Sequence, residues 1–395
     1  MAGIYIHIPF CKQACYYCDF HFSTSFKKKD ELIQALIKEL ELRKEELENQ
    51  IIETIYFGGG TPSLLTNNEL KLILDSVYKY YNVSENPEIT LEANPDDLMP
   101  VQAQSRTVFE EYKSIGINRL SIGVQSFFED DLQSMNRAHS SNEAKECLSV
   151  ATQHFDNITI DLIYGIPNMS LDKWNKNLEI AFSFGVNHIS SYALTVELKT
   201  ALDTFIKKGT YPPIDENLAL QHFNCLVLET EKQGFVHYEI SNFGKPNYFS
   251  KHNTSYWQGK TYIGIGPSAH SFNKTQRSWN ISNNTKYIQS IENNILPNTI
   301  ENLSKQDQFN EYIMTGLRTI WGVSFEKIER EFGKDCLLHL KSSSEKYINK
   351  GLLVISNESE KSHNHCHTKR SRSVLTTTKK GKFLVDGIAS ELFMI

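Results

Sequence analysis

The chain has 395 residues, enough for two or three domains and a sizeable core, and its 40% hydrophobic and 22% charged residues are ordinary for a soluble globular protein. A net charge of −6, from 41 basic against 47 acidic residues, argues against a nucleic-acid binder, which carries a basic excess. No apolar run reaches the ~18 residues that cross a bilayer and there is no secretory leader, so a cytoplasmic protein without an integral membrane segment is expected. Seven mostly scattered cysteines, an odd number, suit a reducing compartment better than a disulfide framework.

The first element is a short apolar strand, Ile4–Ile8, closed by Pro9 and followed by Cys11, Cys15 and Cys18 in C-x3-C-x2-C spacing. Three thiolates on one tight loop can each bind an iron of a four-iron, four-sulfur cluster, leaving the fourth iron open to a small molecule. The same cysteines with His21 also fit a Cys3His zinc site, and unliganded thiols are a third reading. Further strands are expected at Thr54–Phe57, Glu88–Glu92, Arg119–Val124, Thr159–Ile163 and His188–Leu194. Helical spacing separates them, as in Leu32, Ile33, Leu36, Ile37 and Leu40, or Leu70, Ile73, Leu74 and Val77. Strands alternating with amphipathic helices make βαβ units, and right-handed crossovers would curl six of them into an open, partial (β/α)6 barrel.

Beyond this the pattern changes. Residues 207–213, KKGTYPP, are a breaker-rich connection; a helix follows over Asp215–Gly234, and Tyr238–Ser271 is read as irregular or short-stranded. From about Gln306 the chain is helical again, with helices at Phe325–Phe332 and Leu337–Ile348, two short strands at Leu352–Ile355 and Val374–Leu375, and a last helix over Lys379–Leu392. The division expected is 1–206 for the barrel, 207–304 for a linker and irregular segment, and 305–395 for a mostly helical, winged-helix-like domain. Its loop at 362–373 holds three histidines and Cys366, a metal trap or a polar hairpin tip.

In a parallel barrel the reacting groups come from the carboxyl ends of the strands. Each strand here ends in something a purely structural barrel does not need. The second ends in Gly58-Gly59-Gly60-Thr61-Pro62, where missing Cβ atoms let a ligand approach the backbone. The third ends in Glu92, a carboxylate costly to bury without a partner. The fourth runs into Gln125, and the loop after it carries Asn136-Arg137, an amide and a guanidinium suited to hydroxyls and a carboxylate. Asp161 interrupts the apolar fifth strand, and the sixth supplies Tyr192-Ala193. Any one of these residues suits a core or capping role about as well; together and in order they point to one ligand site.

The cysteine loop, the GGGTP turn and the Tyr5-Ile-His-Ile-Pro-Phe lead-in resemble the oxygen-independent coproporphyrinogen III oxidase-like branch of the radical S-adenosylmethionine (SAM) proteins. The resemblance spans essentially the whole chain and is tightest from Tyr5 to Ala193. It implies Cys11, Cys15 and Cys18 as ligands of a [4Fe–4S] cluster. Tyr5, Tyr17, Gly59, Gly60, Thr61, Glu92, Gln125, Arg137, Asp161 and Ala193 are implied around SAM. The chemistry implied is one-electron reduction of the sulfonium, giving methionine and a 5′-deoxyadenosyl radical.

Two branches share these features: an oxidase that decarboxylates coproporphyrinogen III, and heme chaperones that bind heme and hand it to acceptor proteins. Phe20 stands where the oxidase carries a further cysteine, Cys11 lies close to the start of the chain, and His252-Asn253-Thr254-Ser255-Tyr256-Trp257 matches the chaperones' H-N-x-x-Y-W motif. The expectation is therefore a heme chaperone, with His252 as a heme contact, His270 in YIGIGPSAH a weaker one, and a cluster-dependent homodimer implied by the resemblance. The oxidase is the alternative.

Overall fold

The computed structural model describes residues 2–48, 50–98, 107–359 and 371–394. Six strands, β1 (Ala2–Ile8), β2 (Ile52–Gly59), β3 (Val83–Ala93), β4 (Arg119–Gln125), β5 (Ile158–Tyr164) and β6 (His188–Ala193), pair in parallel in chain order. All six fall where the apolar runs placed them, because strands buried on both faces read as near-continuous β-branched stretches. The helices between them bury the anticipated stripes: Lys29–Leu42 covers the sheet with Leu32, Ile33, Leu36 and Leu40, and Asn67–Tyr80 with Leu70, Ile73, Leu74 and Val77. Capping boxes at Thr66/Glu69 and Ser140/Glu143 start Asn67–Tyr80 and Ser141–His154, each satisfying backbone donors that would otherwise be orphaned.

The sheet does not stop at six strands. β7 (Val236–Glu239) and β8 (Asn242–Gly244) extend it antiparallel beyond β6. On the other side β9 (Thr261–Ile265) pairs parallel with β1, and β10 (His270–Phe272), β11 (Gln276–Asn280) and β12 (Asn298–Asn302) follow antiparallel. The stretch Tyr238–Ser271 is thus short-stranded, with one helix, Lys251–Trp257, which carries the HNxxYW residues. Much of the chain from 236 to 302 shares the hydrophobic core of the first six strands, through Phe243, Ile263, Ile265, Tyr287 and Ile291.

A buried ion pair ties the extension to the first helix. Glu39 and Arg43 are both almost inaccessible. Glu39 accepts hydrogen bonds from Gly266 N–H (2.8 Å), Tyr287 O–H (2.5 Å), Asn280 Nδ2 (2.8 Å) and Arg43 (3.1 Å), and Arg43 donates onward to Gly264 O at 2.8 Å. Glu39→Ala leaves three buried donors without their acceptor, while Arg43 keeps Glu46 at 2.8 Å, and a loss of about 3–5 kcal/mol in urea unfolding is expected. A loss under about 1 kcal/mol would mean water replaces the carboxylate.

The last part of the chain orders helix Lys305–Leu317, β13 (Val323–Ser324), helices Phe325–Phe332 and Lys334–Asn349, then β14 (Leu353–Ser359) and β15 (Ser371–Thr377). The three strands form a separate antiparallel sheet, β13-β15-β14, over a second core that includes Phe309, Ile313, Ile328, Leu340, Leu375 and Leu392. The final helix is shorter than the spacing suggested, Val385–Glu391, because Gly381 N–H donates to Thr378 O at 2.9 Å and closes a turn before it. The metal reading of the His-rich loop at 362–373 rests on His363, His365, Cys366 and His367, which lie outside the described residues.

Candidate functional site

The cysteine loop leaves the carboxyl end of β1 and is closed at its neck: Ser23 N–H donates to Pro9 O at 2.6 Å and Cys11 N–H to Ser23 O at 3.1 Å. Three other parts of the chain grip it. Asn136 donates to Ala14 O (2.7 Å) and accepts from Gln13 (2.8 Å), Tyr16 N–H bonds to Met135 O (3.1 Å), and Leu202 N–H bonds to Tyr16 O (2.8 Å). Lys12 pairs with Asp96 (2.7 Å) and with Asp97, just past the end of β3. A loop held this way keeps its three thiols in place before any ligand arrives.

Those thiols line one cavity of about 490 Å3 together with Tyr17, Gly59, Gly60, Thr61, Glu92, Gln125, Arg137, Asp161 and Ala193. Residues from the ends of β2 to β6 share its wall, so the sheet curls around it. Thr61 Oγ1 lies 3.6 Å from Cys11 Sγ, and the Arg137 guanidinium donates to Cys15 Sγ (3.3 Å), Asn94 Oδ1 (2.6 Å) and Gly123 O (3.1 Å). Burial pushes the Cys11 thiol up, with Thr61 acting the other way, and pushes Cys18 up to about 11. The half-buried carboxylates of its wall are also displaced. Desolvation raises Glu92 to about 7, against the hydrogen bond from Tyr56 O–H (2.7 Å) and with Asp161 adding repulsion; desolvation likewise raises Asp161 to about 6, opposed by Arg119. Two acids held above their ordinary range in one cavity are poised for a cationic ligand.

Gly60 has a different reason from the one the sequence suggested. A Cβ there would meet Phe10 O at 2.6 Å and Ile8 O at 2.9 Å, so it is the cysteine loop's own backbone that approaches this closely. Gly59 has φ +112° and faces the His7 ring. Three expected residues are not among the cavity's lining. Tyr5 is packed beneath it, its hydroxyl 3.1 Å from His7 Nδ1 and its ring stacked on Tyr56. His252 is 1% exposed, with Nδ1 at 2.8 Å from Thr54 Oγ1 and Nε2 at 2.6 Å from Tyr256 O–H. His270 is exposed on β10 and stacks on Trp279, away from the cavity.

Asn94 and the Lys12–Asp96–Asp97 cluster were not singled out. Asn94 was findable, since it follows Glu92 by two residues and so lies on the same face of its strand. Asn136, read from the sequence as an amide suited to hydroxyls, adopts φ +57°, which asparagine tolerates, and bonds Gln13 and Ala14 of the cysteine loop.

The donor set fits a cluster better than a zinc ion. His21, the fourth ligand zinc would need, is turned away: Nε2 bonds Asn284 Oδ1 at 2.7 Å and the ring stacks on His7. The other described cysteines, Cys147, Cys225 and Cys336, are not in the cavity wall. Three sulfurs, beside a guanidinium, an amide and two half-buried acids, suit a four-iron cluster with one iron free for a zwitterionic, cationic ligand.

The fold and this cavity define a radical SAM protein: residues 5–181 match the model of the radical SAM superfamily, and 303–359 match the HemN C-terminal domain. The coproporphyrinogen III oxidase HemN of Escherichia coli, a radical SAM enzyme, superposes with a TM-score of 0.81 over 100% of this chain and 90% of its own, at 19% identity, which speaks to the fold alone. Within that class the chain belongs to the HemW heme chaperone family. It is 33% identical to heme chaperone HemW of Bacillus subtilis over 85% of this chain and 88% of the relative, and 34% identical to that of Buchnera aphidicola from Acyrthosiphon pisum over 99% and 98%.

Proposed function

We propose that this protein is a heme chaperone: it binds heme, passes it to acceptor proteins, and carries a [4Fe–4S] cluster and SAM in the cavity of β1 to β6. The observation that carries the reading is the convergence of Cys11, Cys15 and Cys18 with Gly59, Gly60, Thr61, Glu92, Gln125, Arg137, Asp161 and Ala193 on one cavity wall, in a chain related to heme chaperones over nearly its full length. The cysteines would hold the cluster, Arg137 the carboxylate of SAM, and Glu92 with Asp161 its cationic and hydroxyl groups. Bound there, cluster and SAM supply one-electron chemistry at the sulfonium. Tyr17 closes one side of the cavity and Tyr5 supports its floor from below. His252 belongs to the heme side of the proposal; its buried hydrogen bonds to Thr54 and Tyr256 favour an indirect part.

The division 1–206, 207–304 and 305–395 goes with this reading, supported by the separate core of the last segment. Its order of helix, strand, two helices and two strands supports the winged-helix-like description. A cytoplasmic location and a cluster-dependent homodimer complete the proposal; no described helix is long and apolar enough to cross a membrane, and the six described cysteines are free thiols. The test is anaerobic. Reconstituted protein given coproporphyrinogen III and SAM should leave the substrate unchanged, yet take up heme stoichiometrically and release it to an apo-hemoprotein. Formation of protoporphyrinogen would establish an oxidase instead. Phe20, exposed at the cavity mouth in place of the oxidase's further cysteine, is the local reason to expect no turnover.

A further inference from the structure

A second, larger cleft of about 1030 Å3 lies between the HNxxYW helix, β9 to β11 and the helices of the last segment. Tyr256, Trp257, Tyr262 and Tyr312 give it aromatic walls, and Arg277 and Lys327 give it cations. Both cations keep part of their side chains exposed. Arg277 pairs with Glu311 while remaining 39% exposed, and Lys327 stands 4.0 Å from Glu331 with its ammonium 3.9 Å over the Tyr312 ring. A planar, apolar ligand with peripheral carboxylates matches this cleft in size and in kind, its faces against the rings and its carboxylates displacing Glu311 and Glu331 from the two cations.

His252 lies behind the wall of this cleft and is not part of it. One ring nitrogen is held by Thr54 and the other by the Tyr256 hydroxyl, and its ring stacks on Tyr56 at 4.9 Å between centroids. Tyr256, one helical turn on, does line the cleft, edge-on to Tyr262 at 4.3 Å. We propose that heme is carried in this cleft, against Tyr256, Trp257 and Tyr262 with its propionates at Arg277 and Lys327, and that His252 is a positioning residue that fixes Tyr256 and does not bind the iron. The proposal rests on the heme-chaperone reading and adds to it the place and the role of the motif histidine.

The experiment is titration of the cluster-loaded full chain with hemin, read from the Soret band, using Arg277→Glu, Lys274→Glu on the exposed rim of the same cleft, Tyr262→Ala, His252→Ala and His252→Gln. Arg277→Glu and Tyr262→Ala should each weaken binding by about tenfold, and Lys274→Glu by a few-fold, with cluster absorbance and far-ultraviolet circular dichroism unchanged. Glutamine keeps an acceptor for the Tyr256 hydroxyl, so His252→Gln should restore most of what His252→Ala loses and leave the Soret position where it was. If His252→Gln loses heme or shifts the band as far as His252→Ala does, the histidine binds the iron and the positioning role is overturned. If heme binds wild type and every rim variant alike, the cleft is overturned while the chaperone reading stands. If wild type takes up no heme, both fall.

Discussion

Gly60→Ala is expected to strip the protein of its cluster. The added methyl group would sit 2.6 Å from Phe10 O, 2.9 Å from Ile8 O and 2.9 Å from Phe10 N, all backbone atoms of the segment that leads into Cys11. A flexible side chain could swing aside; a main chain fixed at its neck by Ser23 and hydrogen-bonded from Gly60 N–H to Ile8 O at 2.8 Å cannot without moving the thiols. Overpacking of this kind costs about 1–3 kcal/mol, enough to displace the loop by part of an ångström while leaving the fold intact. Iron and sulfide content and visible absorbance after anaerobic reconstitution should fall several-fold, while the unfolding midpoint drops only modestly. Gly387→Ala is the control. No atom lies within 4 Å of the Cβ it would add, in the helix Val385–Glu391, so it should keep its cluster and gain about 0.5–1 kcal/mol. Full cluster content in Gly60→Ala would show that the close approach of the two backbones does not govern the site.

The second large effect is a pH dependence. Glu92 and Asp161 are raised from 4.5 and 3.8 to about 7 and about 6 by burial. A folded protein that holds protons its unfolded chain would release loses stability as pH rises, so the ligand-free protein should weaken through the interval from about 4 to about 7 and level off above it. One pKa unit corresponds to about 1.36 kcal/mol, so Glu92 alone contributes roughly 3 kcal/mol, less whatever water enters the cavity to screen it. A cationic ligand reverses the preference, because it favours both ionised acids. Binding of SAM to the reconstituted protein should therefore tighten about tenfold or more between pH 6 and pH 8 with release of protons, measured by calorimetry in two buffers of different ionisation enthalpy. Glu92→Gln removes one of the acids, raises the stability of the ligand-free protein at pH 8, and flattens the SAM dependence while weakening binding there. An affinity unchanged from pH 6 to 8 in wild type would mean that the two carboxylates do not meet the ligand's charge.

The candidate site was largely legible because its signals are local. C-x3-C-x2-C and GGGTP are contiguous, and strand ends in a parallel sheet converge whatever lies between them, so Glu92, Gln125 and Asp161 could be placed on one cavity from their positions alone. What was hidden depends on distant pairing. β9 is five residues long and reads as a glycine-rich turn; it becomes a strand beside β1 because Glu39 and Arg43, more than 200 positions earlier, satisfy the backbone at Gly264 and Gly266. His252 read as a heme contact next to two aromatics. Only the fold brings Thr54 to one nitrogen and turns Tyr256 onto the other. Tyr5 sits on a strand whose alternate residues face opposite sides, and nothing in the period tells which side holds the ligand.

The most direct test is Mössbauer spectroscopy of iron-enriched, anaerobically reconstituted protein with and without SAM. Three cysteine-ligated irons and one without a protein ligand predict about four irons per chain, one of which changes its isomer shift when SAM is added while the other three do not. Zinc in place of iron, or a cluster whose irons all ignore SAM, would contradict it.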